Sequence, residues 1–389
     1  MQLIEGVLRD YAWGSTTAIP ELLGLPATAT PVAEVWFGAH PSGPALVGPD
    51  ATPLDVVVGR DPTAALGAAA DFDTLPFLLK VIAAAEPLSL QVHPSTAQAR
   101  AGFAREEAAG VAIDAPDRSF RDRAHKPEMI CALTEFDALC GVREPETTLE
   151  VLASIEAQEL DTVRSMIRAD PTPAGFSRLL EWLLTLDHAA AGALVESVVG
   201  ACRDRGEGPH AAERAMAADL GERYPGDPAV VIALLLNLVT LRPGEALFLG
   251  SGNLHAYLRG SGVEIMASSD NVLRGGLTAK HVDVAALIEV VDAAPVEPRV
   301  QRPPVVDGVA RYDSPVPEFS LERIELDGTL TLDEGPAILL CTAGHATCGA
   351  HTLDRGAALW IPAADGPVEL HGWGTMFRAG LGPRGVTDG

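Results

Sequence analysis

The chain has 389 residues, of which 47% are hydrophobic and 21% are charged, so it is long enough for two or three globular domains. Its formal net charge is −25, which argues against nucleic acid and anionic membranes as main partners, because both need a basic face. We find no secretory signal and no apolar run long enough to span a bilayer, and the five cysteines lack CxxC spacing, so we expect a cytoplasmic protein with reduced thiols.

The first part of the chain has the pattern of short β-strands. Apolar and alternating runs separated by Gly and Pro turns predict strands in EVWFGAHPSGPALVG, LPFLLKVIAAAEPLSLQVHPS and HKPEMICALTEFDALCG. The Ala-rich segment 97–110 is predicted to be helical. From 146 to 226, apolar residues recur at three- and four-residue spacing, which predicts an all-α insertion.

β character returns after the insertion. The apolar run 230–241 predicts a buried helix or strand, and the Pro-rich stretch 293–304 predicts a linker. The expected fold is therefore mainly β with an α-helical insertion. The predicted domains are a first β domain formed by 1–145 and 227–300, the insertion 146–226, and a C-terminal β domain 305–389.

The segment SLQVHP places two possible metal ligands at the end of a predicted strand. Gln91 and His93 flank Val92, so their side chains point to the same face. By itself such a pair is more often a polar strand end than a metal site. The interpretation therefore depends on whether the rest of the chain supplies further ligands.

Two later segments supply them. GEALFLGSGNLH approximates the second cupin motif, in which a turn ahead of a strand delivers one histidine, here His255, into a small β-barrel; Gly250 replaces the usual proline. The first cupin motif has a His-x-His pair, here Gln91-Val-His93, and a later acid, for which HKPE offers Glu128. Two imidazoles, a carboxylate and an amide oxygen with an open position predict a zinc site.

Lysine is rare in this chain. Of 28 Lys and Arg residues only three are lysines, namely Lys80, Lys126 and Lys280. Lysine carries a compact charge that suits a phosphate or a reacting oxygen, whereas arginine is a planar fork. Retention by chance is the alternative for these three positions.

Longer motifs resemble class I mannose-6-phosphate isomerases. They are YAWG, EVWFGAHPSGPA, SLQVHP, AHKPEM and HAYLRGSGVEIMASSDNVLRGGLTAKHVDV, and they extend over residues 11–283. The resemblance implies two cupin-like jelly-roll barrels plus an all-α domain, one Zn²⁺ per chain on the four ligands, and interconversion of mannose 6-phosphate and fructose 6-phosphate through an enediol. It also implies that Arg274 is catalytic and places further residues around the substrate: Lys80, Ser89, Lys126, Glu264, Asp270 and Lys280.

The chemistry of the implied reaction distributes roles among these residues. Glu264 is our first choice for the base, with Asp270 and a metal-bound hydroxide as competitors. Arg274 and zinc suit the developing oxyanion, and Lys126 the reacting oxygens. Lys80, Ser89 and Lys280 suit the phosphate, and a local cluster of cations is required because a net charge of −25 repels an anionic substrate.

Other classes of protein remain possible from the sequence. The first alternative is a non-catalytic bicupin that binds sugar or metal, which predicts no clustered lysines. The second is a cupin iron oxygenase, but Gln91 and Glu128 fit a zinc site better than an iron site. In the C-terminal region Gly356 and Pro362 match the start of the second cupin motif, but Ala364 and Pro367 stand where it needs Gly and His. We therefore expect a second barrel without metal, a small sugar phosphate as the partner, and a monomer or weak homodimer.

Overall fold

The structure is a computed structural model that describes residues 1–203 and 207–383. Within the predicted segments 146–226 and 305–389, residues 204–206 and 384–389 therefore lie outside the described residues. The described chain is mostly β, with two antiparallel sheets and a group of helices, as the expected fold class requires.

The first β region carries the elements that build most of the predicted site. In chain order they are β1 (Gln2–Glu5), β2 (Val7–Arg9), α1 (Ala18–Leu22), β3 (Glu34–Gly38), β4 (Leu46–Val47), β5 (Thr52–Pro53), α2 (Leu54–Arg60), α3 (Pro62–Leu66), a 3-10 segment (Gly67–Phe72), β6 (Phe77–Ala84), β7 (Leu90–Val92), α4 (Thr96–Ala109), β8 (Glu128–Ala132) and β9 (Phe136–Val142). The helix predicted over 97–110 is confirmed as α4, which starts after a capping box at Ser95 and ends at Gly110 in the left-handed conformation.

Helices follow where the periodicity predicts them. They are α5 (Pro145–Ala153), α6 (Leu160–Ala169), α7 (Pro173–Leu184), α8 (His188–Cys202), α9 (Ala211–Arg223) and α10 (Ala229–Leu234). No single helix among the described residues is long and apolar enough to cross a bilayer; α7 and α8 meet the length and composition criteria only as a pair, bent by 107° at their junction.

The chain then returns to the first β region and continues into the C-terminal one. The elements are β10 (Leu236–Leu241), β11 (Ala246–Leu249), β12 (His255–Ala267), β13 (Leu273–Gly276), α11 (Val284–Val290), β14 (Val300–Gln301), β15 (Val309–Arg311), β16 (Ser320–Leu332), β17 (Ala337–Cys348), β18 (His351–Asp354), β19 (Ala358–Ile361), a 3-10 turn (Ala363–Asp365) and β20 (Val368–Gly380). The apolar run 230–241 is thus both helix and strand, since α10 leads directly into β10. The predicted linker 293–304 contains β14, which pairs with β11.

Strand β12 organises the first β region. Its first half pairs with β7 and β9, and its second half pairs with β6 and β8, so it belongs to both layers of strands. The strand changes layer at Gly260, where φ is +114° and a side-chain Cβ would lie 2.5 Å from the Glu135 carbonyl oxygen. His255 and Glu264 therefore come from opposite ends of one strand that wraps around a common interior.

The C-terminal sheet has the order β15-β16-β20-β17-β19-β1-β4-β5, with β18 on β17. The N-terminal strand β1 thus pairs with β19, with Gln2 opposite Trp360. One hydrophobic cluster spans both β regions and includes Phe37 and Leu79 from the first and Trp360 and Phe377 from the second. The two regions consequently share a core.

Two tryptophans of the C-terminal sheet provide a matched test of that shared core. Trp360 is 2% exposed in the cluster, whereas Trp373 on β20 is 64% exposed. Trp360→Ala should lower the free energy of unfolding by about 3–5 kcal/mol because it leaves a cavity, while Trp373→Ala should change it by less than about 0.5 kcal/mol. Denaturant titration followed by far-ultraviolet circular dichroism measures both; equal destabilisation by the two variants would contradict this assignment of the core.

Candidate active site

The strand register brings the predicted metal ligands together. His255 lies opposite Gln91, and Gln91 lies opposite Arg274, so the three side chains share one face of neighbouring strands. Glu128 enters from the start of β8, opposite Met266. His93 follows β7 directly, two residues after Gln91.

Three of these residues converge at one buried point. Ligand atoms of His93, Glu128 and His255 all lie within 4.8 Å of one another, and this is the only group of its kind in residues 1–203 and 207–383. Nε2 of His93 lies 3.3 Å from one Glu128 carboxylate oxygen, and Nε2 of His255 lies 3.5 Å from the other. Both imidazoles are fully buried.

The tautomers of the histidines are fixed by backbone carbonyls. Nδ1 of His93 donates to the carbonyl of Asn271 at 2.7 Å, and Nδ1 of His255 donates to that of Asn253 at 2.8 Å. Burial lowers the pKa of His93 to about 4, more than the adjacent Glu128 raises it, so the ring is neutral at neutral pH. Its Nε2 then presents a lone pair that has no hydrogen-bond partner in the described chain.

This donor set fits a divalent metal ion. Burial alone would raise the pKa of Glu128, but Lys126, with Nζ 3.0 Å from the carboxylate, holds that pKa well below its ordinary value. The Glu128 carboxylate faces the unpartnered Nε2 lone pair of His93, which a cation between them would satisfy, and two histidines with one carboxylate is a ligand set used by catalytic zinc. Gln91 adjoins the group with its amide nitrogen 3.3 Å from His255 Nε2, so its oxygen reaches the centre only after the amide turns over.

His93, Glu128 and His255, the metal group of this site, border a cavity of about 540 Å³. Every predicted site residue lines this cavity except His93 and His255, which lie behind Glu128 and Gln91. The three lysines all line it, but they have different partners. Lys80 Nζ pairs with Glu264 at 3.1 Å, Lys126 pairs with Glu128, and Lys280 has no carboxylate within 4 Å in the part of the chain that is described.

Glu264 is held from two sides. Its carboxylate receives the Lys80 ammonium on one oxygen and the Tyr257 hydroxyl, at 2.9 Å, on the other. Burial raises the pKa of Glu264 even though Lys80 opposes the shift. Burial would lower the pKa of Lys80, but Glu264, Glu34 and Glu128 outweigh it and hold that pKa above its ordinary value. A fixed carboxylate of raised pKa is suited to proton transfer.

The remaining predicted residues lie around the rim. Asp270 is 45% exposed and contacts His40 Nε2 at 3.6 Å and the Ser42 hydroxyl at 3.3 Å. Ser89 lies just before β7 and lines the cavity. The exposed Asp270 is therefore bound more loosely than Glu264.

Arg121 is a cavity residue that sequence analysis missed. It lines the cavity together with Arg274 and Lys280, and none of the three has a carboxylate within 4 Å among the described residues. Burial lowers the pKa of Lys280, and Arg274 and Arg121 lower it further, so the three cations lie close enough to repel one another. Arginine is abundant here and Arg121 belongs to no motif we recognised, so composition carried no signal for it.

Three unpaired cations beside a buried metal group define the class of this protein as a metal-dependent enzyme that receives a small anionic substrate. Residues 1–145 match the model of the phosphomannose isomerase type I catalytic domain. The chain is 36% identical to mannose-6-phosphate isomerase of Escherichia coli, with 97% of this chain and 99% of the relative covered, and 31% identical to the Homo sapiens enzyme, with 92% of each covered.

Solved structures agree with the sequence comparisons. A crystal structure of mannose 6-phosphate isomerase bound with zinc and yttrium aligns with a TM-score of 0.91 at 34% identity, covering 98% of this chain and 100% of the other. A zinc-bound holo structure of mannose 6-phosphate isomerase aligns with a TM-score of 0.90 at 33% identity, covering 98% and 99%. The chain belongs to the type I mannose-6-phosphate isomerase family.

The metal group generates a prediction about stoichiometry. We expect one zinc per chain after dialysis, lost in Glu128→Ala and His255→Ala because each variant removes a ligand. His371→Ala is the matched control, since His371 is exposed on β20 and contacts Thr329. Elemental analysis of the purified proteins measures this; a second tightly bound zinc that depends on His371 would contradict it.

Proposed function

We propose that the protein is a zinc-dependent aldose–ketose isomerase that interconverts mannose 6-phosphate and fructose 6-phosphate through an enediol. The observation that carries this proposal is the buried His93–Glu128–His255 group at the edge of a cavity lined by three unpaired cations. A non-catalytic bicupin has no need for three unpaired cations in the same cavity as a fixed, buried carboxylate. Family membership supports the catalytic reading over that alternative.

His93, Glu128 and His255 would hold the zinc, with Gln91 as a fourth ligand once its amide oxygen is turned inward. When bound, zinc supplies a Lewis acid that stabilises negative charge on a substrate oxygen. Lys126, which contacts Glu128, lies beside this centre and is assigned to the reacting oxygens. Arg274, opposite Gln91, is assigned to the developing oxyanion as a fixed cation.

Glu264 is proposed as the base. Its carboxylate takes the proton from C2, the C–H electron pair forms the C1–C2 double bond, and the carbonyl electron pair moves to O1. The enediol proton is then exchanged between O2 and O1, and Glu264 returns its proton to C1, which leaves the carbonyl at C2. Lys80 and Tyr257 hold the carboxylate in place, whereas Asp270, half-exposed at the rim, is the second choice.

The phosphate is assigned to Lys280 and Arg121, with Ser89 as a hydroxyl donor from the cavity wall. Unpaired cations gain more from an anion than a lysine that already has a carboxylate partner. We therefore no longer assign Lys80 to the phosphate, and propose instead that it holds the Glu264 carboxylate in place.

We also propose a finer architecture. Residues 1–145 and 227–300 form a cupin-like jelly roll, 146–226 an all-α domain, and 305–389 a second cupin-like barrel without metal. The strand β12, shared by both layers, supports the first assignment. Strand β1 pairs with β19 of the C-terminal sheet, so the N-terminal strand connects the two proposed barrels. Five buried, unpaired thiols suit a reducing compartment such as the cytoplasm.

A coupled assay with mannose 6-phosphate tests the function directly. We expect turnover to fructose 6-phosphate that a chelator abolishes and added zinc restores. Arg274→Ala should lower kcat and kcat/KM together while the zinc content stays at one per chain. Full activity in protein shown by elemental analysis to be metal-free would exclude a zinc-dependent isomerase.

The different partners of Lys280 and Lys80 predict different kinetic defects. Lys280→Met should raise KM about tenfold or more with a smaller change in kcat, because a charge-assisted hydrogen bond to phosphate is lost. Lys80→Met should mainly lower kcat. Because Lys80 opposes the burial-induced rise in the pKa of Glu264, its loss should raise that pKa further and move the acidic limb of the pH–rate profile to higher pH.

The matched control for the change in net charge is Arg60→Met, since Arg60 is exposed at the end of α2 and does not line the cavity. Its kinetic constants should equal those of the unmodified protein. A Lys80→Met enzyme with a raised KM, an unchanged kcat and an unchanged pH profile would contradict this assignment and indicate that Lys80 binds the substrate phosphate.

A further inference from the structure

Two loops that contribute residues to the cavity wall meet, and hydrogen bonds of Asn271 and Asp122 join them. Residues 268–272 connect β12 to β13, and residues 119–127 lead into β8. Asn271, in the first loop, is fully buried. A buried amide requires partners for all its donors and acceptors, and the partners of Asn271 lie in the second loop.

The amide group of Asn271 is fully used by the backbone around Arg121. Its Oδ1 accepts from the backbone N–H of Arg121 at 2.7 Å and of Asp122 at 3.2 Å. Its Nδ2 donates to the carbonyls of Asp122 and Ala124, at 3.0 and 2.9 Å, and to the Asp122 carboxylate at 3.0 Å. The Asn271 side chain therefore holds the backbone of residues 121–124 by hydrogen bonds at three of its four residues.

Asp122 returns the connection. Its carboxylate accepts from the Ser269 hydroxyl at 2.9 Å and from the backbone N–H of Asp270 at 2.7 Å, while the N–H of Ala124 closes a local turn at 2.9 Å. The loops are thus joined by reciprocal hydrogen bonds, and breaking one leaves buried polar groups without partners.

The main chain of Asn271 serves the metal group. Its carbonyl is the acceptor for His93 Nδ1, which aims Nε2 of that ring at Glu128. Three residues later, Arg274 lies opposite Gln91 on β13. Asn271 therefore contacts the candidate metal ligand His93 through its backbone carbonyl, and the backbone of Arg121 through its side-chain amide.

We infer that Asn271 is a positioning residue that couples the metal centre to the anion-binding cations: its carbonyl orients His93 while its amide holds Arg121 beside Arg274 and Lys280. Arg121 itself is exposed and has no carboxylate partner in the described chain. Its position beside Arg274 and Lys280 therefore depends on the backbone of this loop, which Asn271 holds. The inference rests on the proposed function, because it assigns Arg121 to the substrate phosphate.

The test uses full-length, zinc-loaded protein and inorganic phosphate as the probe, measured by calorimetry, with KM for mannose 6-phosphate alongside. The variants are Asn271→Ala, Arg121→Ala, the double variant, and Asp122→Asn, which keeps the shape of the loop but weakens its hydrogen bonds. Asn237→Ala is the matched control, since the Asn237 amide also ties backbone carbonyls, those of residues 140–142 and 296, but does not line the cavity.

We expect Asn271→Ala and Arg121→Ala each to weaken phosphate binding about tenfold, and the double variant to bind no more weakly than Arg121→Ala alone, because Asn271 acts through Arg121. Zinc should remain at one per chain, since the carbonyl persists in alanine. Asn237→Ala should lower the denaturation midpoint without changing phosphate affinity. If Asn271→Ala does not fold, weaker phosphate binding by Asp122→Asn supports the same conclusion and unchanged binding refutes it.

Several outcomes would overturn the inference. They are wild-type phosphate affinity in Asn271→Ala, additive losses in the double variant, or loss of zinc from Asn271→Ala with phosphate affinity intact, which would confine Asn271 to the metal centre. These results leave the isomerase assignment standing. Unmodified protein that neither binds phosphate nor turns over mannose 6-phosphate would instead refute the proposed function, and the inference with it.

Discussion

The structure around the cavity depends on one electrostatic constraint: the Glu128 carboxylate faces the Nε2 atoms of two fully buried imidazoles, those of His93 and His255. These nitrogens lie 3.3 and 3.5 Å from the carboxylate oxygens, and the neutral ring of His93 turns a lone pair toward the carboxylate, which is unfavourable unless a cation lies between them. Satisfying them requires ligands from β8, β12 and the end of β7 at one point, so the pairing register of these strands cannot slip. A slip of one residue would turn His255 or Glu128 to the opposite face.

The same constraint separates the cations of the cavity into two kinds. Lys80 and Lys126 each neutralise a buried carboxylate, and their charges are largely balanced by Glu264 and Glu128. Arg121, Arg274 and Lys280 have no such partners among the described residues, and burial together with mutual repulsion lowers the pKa of Lys280. In a chain of net charge −25, this unbalanced positive charge is concentrated where an anion can reach it.

Local pattern predicted the parts of this arrangement that depend on short-range spacing. The alternation in SLQVHP places Gln91 and His93 on one side, and the turn before His255 fixes where that strand begins. The rarity of lysine pointed to three positions that all line the cavity. What sequence could not supply was the pairing of each lysine, since Lys80 and Glu264 are 184 positions apart and meet only through the register of β6 and β12. The pairing of β1 with β19 could not be predicted from the sequence for the same reason, since these strands lie at opposite ends of the chain.

The contribution of the C-terminal sheet to the cavity follows from contacts of similar range. The segment that carries Lys126 and Glu128 begins at His125, whose Nε2 lies 2.8 Å from a carboxylate oxygen of Glu318, just ahead of β16. The shared hydrophobic cluster holds the two β regions together. The contact of Glu318 with His125 joins the C-terminal region to the loop 119–127, which Asn271 of the first β region also holds. Residues 121–128 are therefore fixed at both ends by different parts of the chain. Helix α4 adds a third support, because the Glu106 carboxylate accepts hydrogen bonds from the backbone N–H groups of Ser119 and Phe120, each at 2.8 Å. A loop held in this way can present Arg121, Lys126 and Glu128 to one cavity.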